Sequence, residues 1–348
     1  MVHILRYNLS IDWRIDTMTN QNILIARIKQ LSDEEIATLL DTTSIMLKKH
    51  SIEVCPDCPY CGSHIIIRFG HKCGKQRFRC KGCMRTFVTT TNTVMFNSHY
   101  PAEIWSEAIE DTLRGHAIDY TANRLGLYHQ AVFNMRHKIL MALSEISGIK
   151  DVCLGEVSEL DETFVLDCYK GKQLGNDITR KPRKHGAKAE KRGISNEYVC
   201  ICTGIQRGGD AYAATINRAK PDAEELQALF NNHIADATLV LCDGLRSYNT
   251  LPAIANCTVK DCTQATENEK CFYHLNAVNG FHSFIKNRYN FYRGIATKYL
   301  NRYNTLFSAA YRNIEALIIQ AKQVLLKVGM VNQYHSNRQI GEEGLLAI

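Results

Sequence analysis

Four paired cysteines and two aspartates, one inside a strand-like run and one closing an apolar run, are the residues whose types and positions point to chemistry in this chain. Cys58-Pro-Tyr-Cys61 and Cys80-Lys-Gly-Cys83 stand eighteen residues apart. Each C-x-x-C turn aims two thiolates at one point, and two such turns make a tetrahedral zinc site. With four protein ligands the site is closed, so the expected zinc is structural. The competing reading is a set of redox or plain buried cysteines. Cys55 and Cys73 are expected to be bystanders. Asp161 lies inside Glu156-Val-Ser-Glu-Leu-Asp-Glu-Thr-Phe-Val165, a strand-like run where a charge needs a reason. Asp243 closes the buried run Thr238-Leu-Val-Leu-Cys-Asp243. If those two runs are neighbours in one sheet, their carboxylates meet on a divalent ion, Mg²⁺ or Mn²⁺, which favours oxygen ligands. The bland alternative for Asp161 is an edge strand with solvated carboxylates.

Strand alternation puts Glu159 and Asp161 on one face and Leu160 and Glu162 on the other. Farther on, Leu275 to Lys286 reads as a helix on which Asn279, His282 and Lys286 recur at i, i+3 and i+7 and share one face. That face could supply a third group to the aspartates, although a solvated helix shows the same spacing. A glutamate is absent from it, and Asn279 offers only a neutral carbonyl oxygen. Glu159 is a candidate to compensate.

The elements that must position these groups follow in chain order. Residues 1–54 read as a helical lead-in, with Ser32-Asp-Glu-Glu35 forming a capping box. Residues 55–100 read as a zinc ribbon with strands at Ile65–Phe69 and Gln76–Arg79. Residues 101–150 read as helical: Pro101 opens one helix, and Asp119–Leu125, Gly126-Leu-Tyr128 and His129–Leu143 give a helix-turn-helix outline. Any αα-hairpin gives the same outline. Residues 151–313 alternate strands at Tyr198–Thr203, Ala211–Ile216 and Thr238–Asp243 with a helix over Pro221–Ile234, which fits an α/β, RNase H-like sheet. Residues 314–348 read as a C-terminal helix and tail.

Charge points to the partner. Residues 55–88, 170–197 and 279–312 each carry a net +6 within a chain whose net charge is +7. Solvated faces mix both signs, so three one-signed segments predict a polyanion, nucleic acid, contacted at several places. The candidate DNA contacts are Arg77, Arg79 and Lys81 on the ribbon and Gln130, Asn134, Arg136 and Lys138 on the second helix of the hairpin. Lys181, Arg183 and Lys184 in a basic loop complete the set. No apolar run approaches the roughly 18–20 residues of a membrane span. The N-terminal stretch lacks a basic region followed by an apolar core, so no secretory signal is expected.

The ordered motifs resemble the insertion-sequence transposases of the DDE superfamily, in the branch with an N-terminal zinc ribbon. They are Cys58-Pro-Tyr-Cys-Gly-Ser63, Arg77-Phe-Arg-Cys-Lys-Gly-Cys-Met-Arg-Thr-Phe87, Leu160-Asp-Glu-Thr-Phe164, Lys191-Arg-Gly-Ile-Ser195, Cys242-Asp-Gly244 and His274-Leu-Asn276. Asn279-Gly-Phe-His-Ser-Phe-Ile-Lys286, Tyr299-Leu-Asn-Arg-Tyr303 and Arg312-Asn313 continue the series to residue 313. The branch includes members with Asn in place of the last Glu. The resemblance implies Asp161, Asp243 and Asn279 as a catalytic triad, with Lys286 contacting DNA near the cut. It also implies cleavage at terminal inverted repeats and strand transfer to target DNA. The expected setting is the cytoplasm, associated with the nucleoid if the source is bacterial, with a homo-oligomer in the active complex. An inactive, transposase-derived regulator and a related RNase H-like nuclease are the other readings.

Overall fold

The computed structural model describes residue 32 and residues 56–72, 74–146, 148–149, 151–170, 189–292, 294–329 and 331–342. The remainder of the expected lead-in, Cys55, Cys73 and the basic loop with Lys181, Arg183 and Lys184 lie outside these residues. Residues 57–348 cluster as one compact unit.

Three short antiparallel strands open it: β1 (Ile66–Lys72), β2 (Lys75–Cys80) and β3 (Thr86–Val88). The register sets Ile66 opposite Cys80 and Phe78 opposite Phe87. The two phenylalanine rings stack at 5.7 Å. With Cys58 and Cys80 they form the whole buried apolar cluster of the ribbon. So small a core leaves a fold needing a metal staple.

Helices α1 (Ala102–Arg114), α2 (Ile118–Leu125) and α3 (His129–Leu143) follow. Trp105, Ala108, Ile109, Thr112 and Leu113 recur at helical spacing and form the buried stripe of α1. Gly126, at φ 64°, adopts the left-handed conformation that ends α2 and turns the chain into α3. The expected helix-turn-helix outline is thus present as an αα-hairpin. Tyr128 opens α3 without a side-chain cap and is 86% exposed.

The second sheet has the order β6-β5-β4-β7-β8. Its strands are β4 (Val157–Leu166), β5 (Tyr198–Gln206), β6 (Ala211–Arg218), β7 (Leu239–Cys242) and β8 (Thr258–Asp261). β4, β5 and β6 are antiparallel, whereas β4–β7 and β7–β8 are parallel. The predicted neighbours β4 and β7 therefore lie side by side. The helix expected over Pro221–Ile234 is shorter, α4 (Ala223–Phe230), held by a capping box of Asp222 and Glu225. Beyond it Ile234 bridges to Leu154 in extended backbone.

Three helices complete the core: α5 (Asn276–Phe291), α6 (Leu300–Ala310) and α7 (Ile314–Leu325). A short α8 (Asn337–Glu342) follows. Alternation along β5 sends Val199, Ile201 and Ile205 to a core shared with α1, α3, α5, α6 and α7. Cys200 and Cys202 face the opposite core with α4 residues Leu226 and Phe230. The sheet is buried on both faces, and the helices before β4 share one core with those after β8. Arg114 of α1 makes a two-pronged ion pair to Glu315 of α7 at 2.7 and 3.0 Å. The chain is therefore a mixed α/β fold in which the helical hairpin is continuous with the sheet.

Candidate active site and metal centres

The parallel register of β4 with β7 builds the first centre. Val157 pairs with Leu239, Ser158 with Val240 and Glu159 with Leu241. Carried two residues past the last pair, the same register sets Asp161 beside Asp243, and parallel neighbours in register point to one face. Gly244 lets the chain turn away at φ +86°, where a Cβ would lie 2.7 Å from the Asp261 carboxylate. One oxygen of each aspartate is occupied locally: Glu162 N–H donates to Asp161 Oδ1 at 2.8 Å and Leu245 N–H to Asp243 Oδ1 at 3.2 Å.

Glu162 joins them. Carboxylate oxygens of Asp161, Glu162 and Asp243 all lie within 4.8 Å of one another. Alternation had placed Glu162 on the far face, and its Oε1 does accept the hydroxyl of fully buried Tyr248 there. Past Glu159, however, β4 has no partner on the β7 side, which leaves a long side chain room to reach the end of the sheet. The signal in the sequence was its position next to Asp161.

The electrostatics of three gathered carboxylates are unfavourable without a cation. Burial pushes the Asp161 carboxyl up to about 6, and the charge of Asp243 adds to the rise while Lys286 opposes it. Burial likewise pushes Glu162 up to about 7, with Asp161 and Asp243 contributing in the same direction. A donor set of hard carboxylate oxygens this close fits Mg²⁺ or Mn²⁺.

Helix α5 faces this cluster. His282 is buried, with Nδ1 3.7 Å from Asp161 Oδ2 and Nε2 2.6 Å from Thr203 Oγ1. Burial, and then the charge of Lys286, lowers its imidazole to about 4, so the ring is neutral near pH 7. Asn279 and Lys286 are solvent-exposed on the same helix, one turn before His282 and one turn after it. Of the expected i, i+3, i+7 face, His282 lies beside Asp161 and the charge of Lys286 reaches it.

Glu159 is a correction. It is wholly buried and already engaged: Arg207 Nε donates to Oε1 at 2.6 Å and Val278 N–H to Oε2 at 2.9 Å. Arg207 also reaches the His274 carbonyl at 2.9 Å. Glu159 ties the first turn of α5 to β4, and it is not a spare ligand.

The second centre is the ribbon cluster. Cys58 and Cys83 sulfurs are 3.5 Å apart and those of Cys61 and Cys80 3.6 Å apart, and all four lie within 4.8 Å. Tetrahedral zinc with Zn–S near 2.3 Å sets sulfurs about 3.8 Å apart. The four residues fit that ion. The Cys83 amide, followed by that of Gly82, draws the Cys80 thiol down to about 6, toward the thiolate a metal requires.

The expected DNA contacts divide. Arg77 and Arg79 are half-buried against the Phe69 ring, at 4.8 and 5.2 Å, and Lys81 is exposed. Gln130 is exposed and Asn134 half-buried, bonded to each other at 3.0 Å. Arg136 is a second correction. It is 2% exposed, donates to the His116 carbonyl and lies over the Tyr292 ring, so its charge is spent inside the fold. Arg302, in the third basic segment, is likewise buried and bonds His137 and the Ile340 carbonyl. No helix among the described residues is long and apolar enough to cross a membrane.

Fold and sites together define a class, an α/β protein with a carboxylate cluster where the pairing of two parallel strands ends and a separate four-cysteine cluster. Residues 154–313 match the family model of the ISXO2-like transposase domain. A protein of Halobacterium salinarum, described as an uncharacterized protein in transposable element ISH50, is 25% identical over 195 residues. That match covers 56% of this chain and 64% of the relative. Among solved structures, a pre-cleavage Mos1 transpososome is 14% identical at TM-score 0.25, covering 65% of this chain and 76% of that one. The Mos1 strand transfer complex is 16% identical at TM-score 0.27, covering 65% and 75%. Residues 154–313 are thus similar to an insertion-sequence transposase domain, and the chain is similar over part of its length to a protein of an insertion element.

Proposed function

We propose that this chain is the DNA transposase of an insertion sequence, with an RNase H-like catalytic domain that cuts at terminal inverted repeats and joins the ends to target DNA. The observation that carries the reading is the convergence of Asp161 and Asp243, from neighbouring parallel strands, with Glu162. Asp161 and Asp243 hold Mg²⁺ or Mn²⁺, and Asn279 completes the triad through its amide oxygen. Such ions, when bound, activate an attacking hydroxyl and stabilise the leaving oxygen of a phosphodiester. Lys286 neutralises a backbone phosphate near the cut. Zinc on Cys58, Cys61, Cys80 and Cys83 holds the ribbon, whose Arg77, Arg79 and Lys81 grip phosphates. The α2–α3 hairpin reads DNA with Gln130 and Asn134, and Lys181, Arg183 and Lys184 add non-specific contacts. The divisions at residues 54, 100, 150 and 313, a homo-oligomeric active complex and a cytoplasmic, nucleoid-associated setting belong to the same proposal.

The test incubates the protein with DNA carrying its element's ends, with Mg²⁺ or Mn²⁺, and maps cleaved and joined strands at nucleotide resolution. Joined products lost in Asp161→Ala and Asp243→Ala support the reading. Metal-independent binding without nicking would replace it with a DNA-binding regulator, and hydrolysis without joining with a nuclease.

A further inference from the structure

The environment of His282 contains an acceptor facing an acceptor. Thr203 sits opposite Asp161 in the β4–β5 ladder. Its hydroxyl donates its one proton to the Asp161 carbonyl at 2.8 Å. A carbonyl can only accept, so the same oxygen, 2.6 Å from His282 Nε2, must accept from that nitrogen. A ring with one proton therefore carries it on Nε2, and its Nδ1 lone pair is left toward the site. What it faces is Asp161 Oδ2 at 3.7 Å, too far for a hydrogen bond. Two ligand atoms each about 2.1 Å from one ion lie about 3.0 Å apart at a right angle and about 4.2 Å apart when opposite. The observed 3.7 Å is about 0.7 Å beyond the right-angle separation, a gap that a small side-chain rotation closes. Both Thr203 and His282 are buried, so neither atom is placed there by solvent.

We propose that His282 Nδ1 is a direct ligand of the divalent ion held by Asp161, with Thr203 as the positioning residue that fixes its tautomer. The inference rests on the carboxylate centre proposed above and adds a nitrogen to it. A ring nitrogen changes which ion the centre prefers, because imidazole binds Mn²⁺ and its later neighbours far better than Mg²⁺. The centre is thus selective for Mn²⁺ over Mg²⁺, and that selectivity comes from α5, not from the two strands. Orienting a metal-bound imidazole through the hydrogen bond at its other nitrogen is how protein metal sites commonly fix this ligand, and such partners are worth about 10–100-fold in affinity.

The experiment is pulsed electron paramagnetic resonance on the zinc-loaded full chain with one equivalent of Mn²⁺ and no DNA, alongside Mn²⁺ and Mg²⁺ titrations. The expected spectrum carries nitrogen coupling of a directly bound imidazole, which changes isotope pattern in protein labelled with ¹⁵N-histidine. In His282→Gln the coupling disappears and Mn²⁺ affinity falls more than Mg²⁺ affinity. In Thr203→Val the coupling persists and Mn²⁺ affinity falls about tenfold. Bound Mn²⁺ with no histidine coupling in the wild type overturns this inference and leaves the carboxylate centre standing. Mn²⁺ that binds no more tightly to wild type than to Asp161→Ala overturns the centre itself. The wild-type spectrum decides the matter even if His282→Gln fails to fold.

Discussion

Removing the Glu159 carboxylate should destabilise the fold strongly, because it is a buried charge with two partners. Glu159 is wholly buried and Arg207 is 22% exposed, so their ion pair at 2.6 Å is shielded from water. The other carboxylate oxygen accepts Val278 N–H, one of the amides at the start of α5 that has no partner within the helix. Glu159→Ala leaves the guanidinium without its counter-ion and the amide without an acceptor. Breaking such a pair from one side costs about 3–5 kcal/mol, with the stranded amide included. For a unit of this size each kcal/mol lowers Tm by about 2–4 °C, so the fall should be roughly 6–20 °C. Thermal unfolding followed by circular dichroism, at fixed zinc, measures it. Glu159→Gln keeps an acceptor for Val278 but loses the charge, and should fall between alanine and wild type. The double variant Glu159→Leu/Arg207→Met removes both charges and should be less destabilised than Glu159→Ala. A loss below about 1 kcal/mol in Glu159→Ala would show that the carboxylate does not hold α5. A double variant no better than the single would show that the cost is packing and not an uncompensated charge.

Other consequences can be measured separately. Cys58→Ser, Cys61→Ser, Cys80→Ser or Cys83→Ser should each lower the zinc content of purified protein from about one per chain, whereas Cys55→Ser should not; retention of zinc in Cys58→Ser with its loss in Cys55→Ser would reassign the ligands. Asp161→Ala and Asp243→Ala should abolish cleavage and joining while leaving DNA affinity within about twofold, as losing a charged ligand releases an ion but few phosphate contacts. Asn279→Asp should keep activity or need less Mg²⁺, and wild-type behaviour in both Asn279→Asp and Asn279→Ala would remove that residue from the centre. The pH dependence follows from Asp161 and Glu162, raised from 3.8 and 4.5 to about 6 and about 7. The metal-free folded protein binds protons that the unfolded chain has released, so the contribution of these groups to stability is full below about pH 4 and declines as pH rises toward 7. Divalent affinity should rise over the same interval, as the ion displaces those protons; Asp161→Asn and Glu162→Gln should flatten both slopes, and a metal-free stability that these variants leave unchanged would contradict the assignment.

The sequence was most informative where chemistry depends on short spacing. Two residues between paired cysteines set a turn whatever surrounds it, so Cys58, Cys61, Cys80 and Cys83 were readable as one cluster, and the structure brings their sulfurs together. Asp161 and Asp243 were legible as charges inside or closing apolar strands, and Gly126 as the break between α2 and α3. The helix carrying Asn279, His282 and Lys286 was legible from its period, although it runs on to Phe291.

Tertiary structure decided the rest, because burial and partner choice are not properties of a residue's type. Arg136 and Glu159 looked like surface and site charges, yet packing of α3 against Tyr292 and of α5 against β4 encloses both. Glu162 was assigned to the far face by alternation, a rule that fixes where a side chain leaves the strand but not where a long one ends beyond the last paired residue. The proton position on His282 required Thr203, which lies across a strand pair that no local pattern specifies. Turns, helical faces and strand ends were legible from the sequence alone, since these follow from backbone geometry over a few residues. Which strand end met which helix face was settled only by the register of β4 against β5 and β7, because register depends on contacts between segments far apart in the chain.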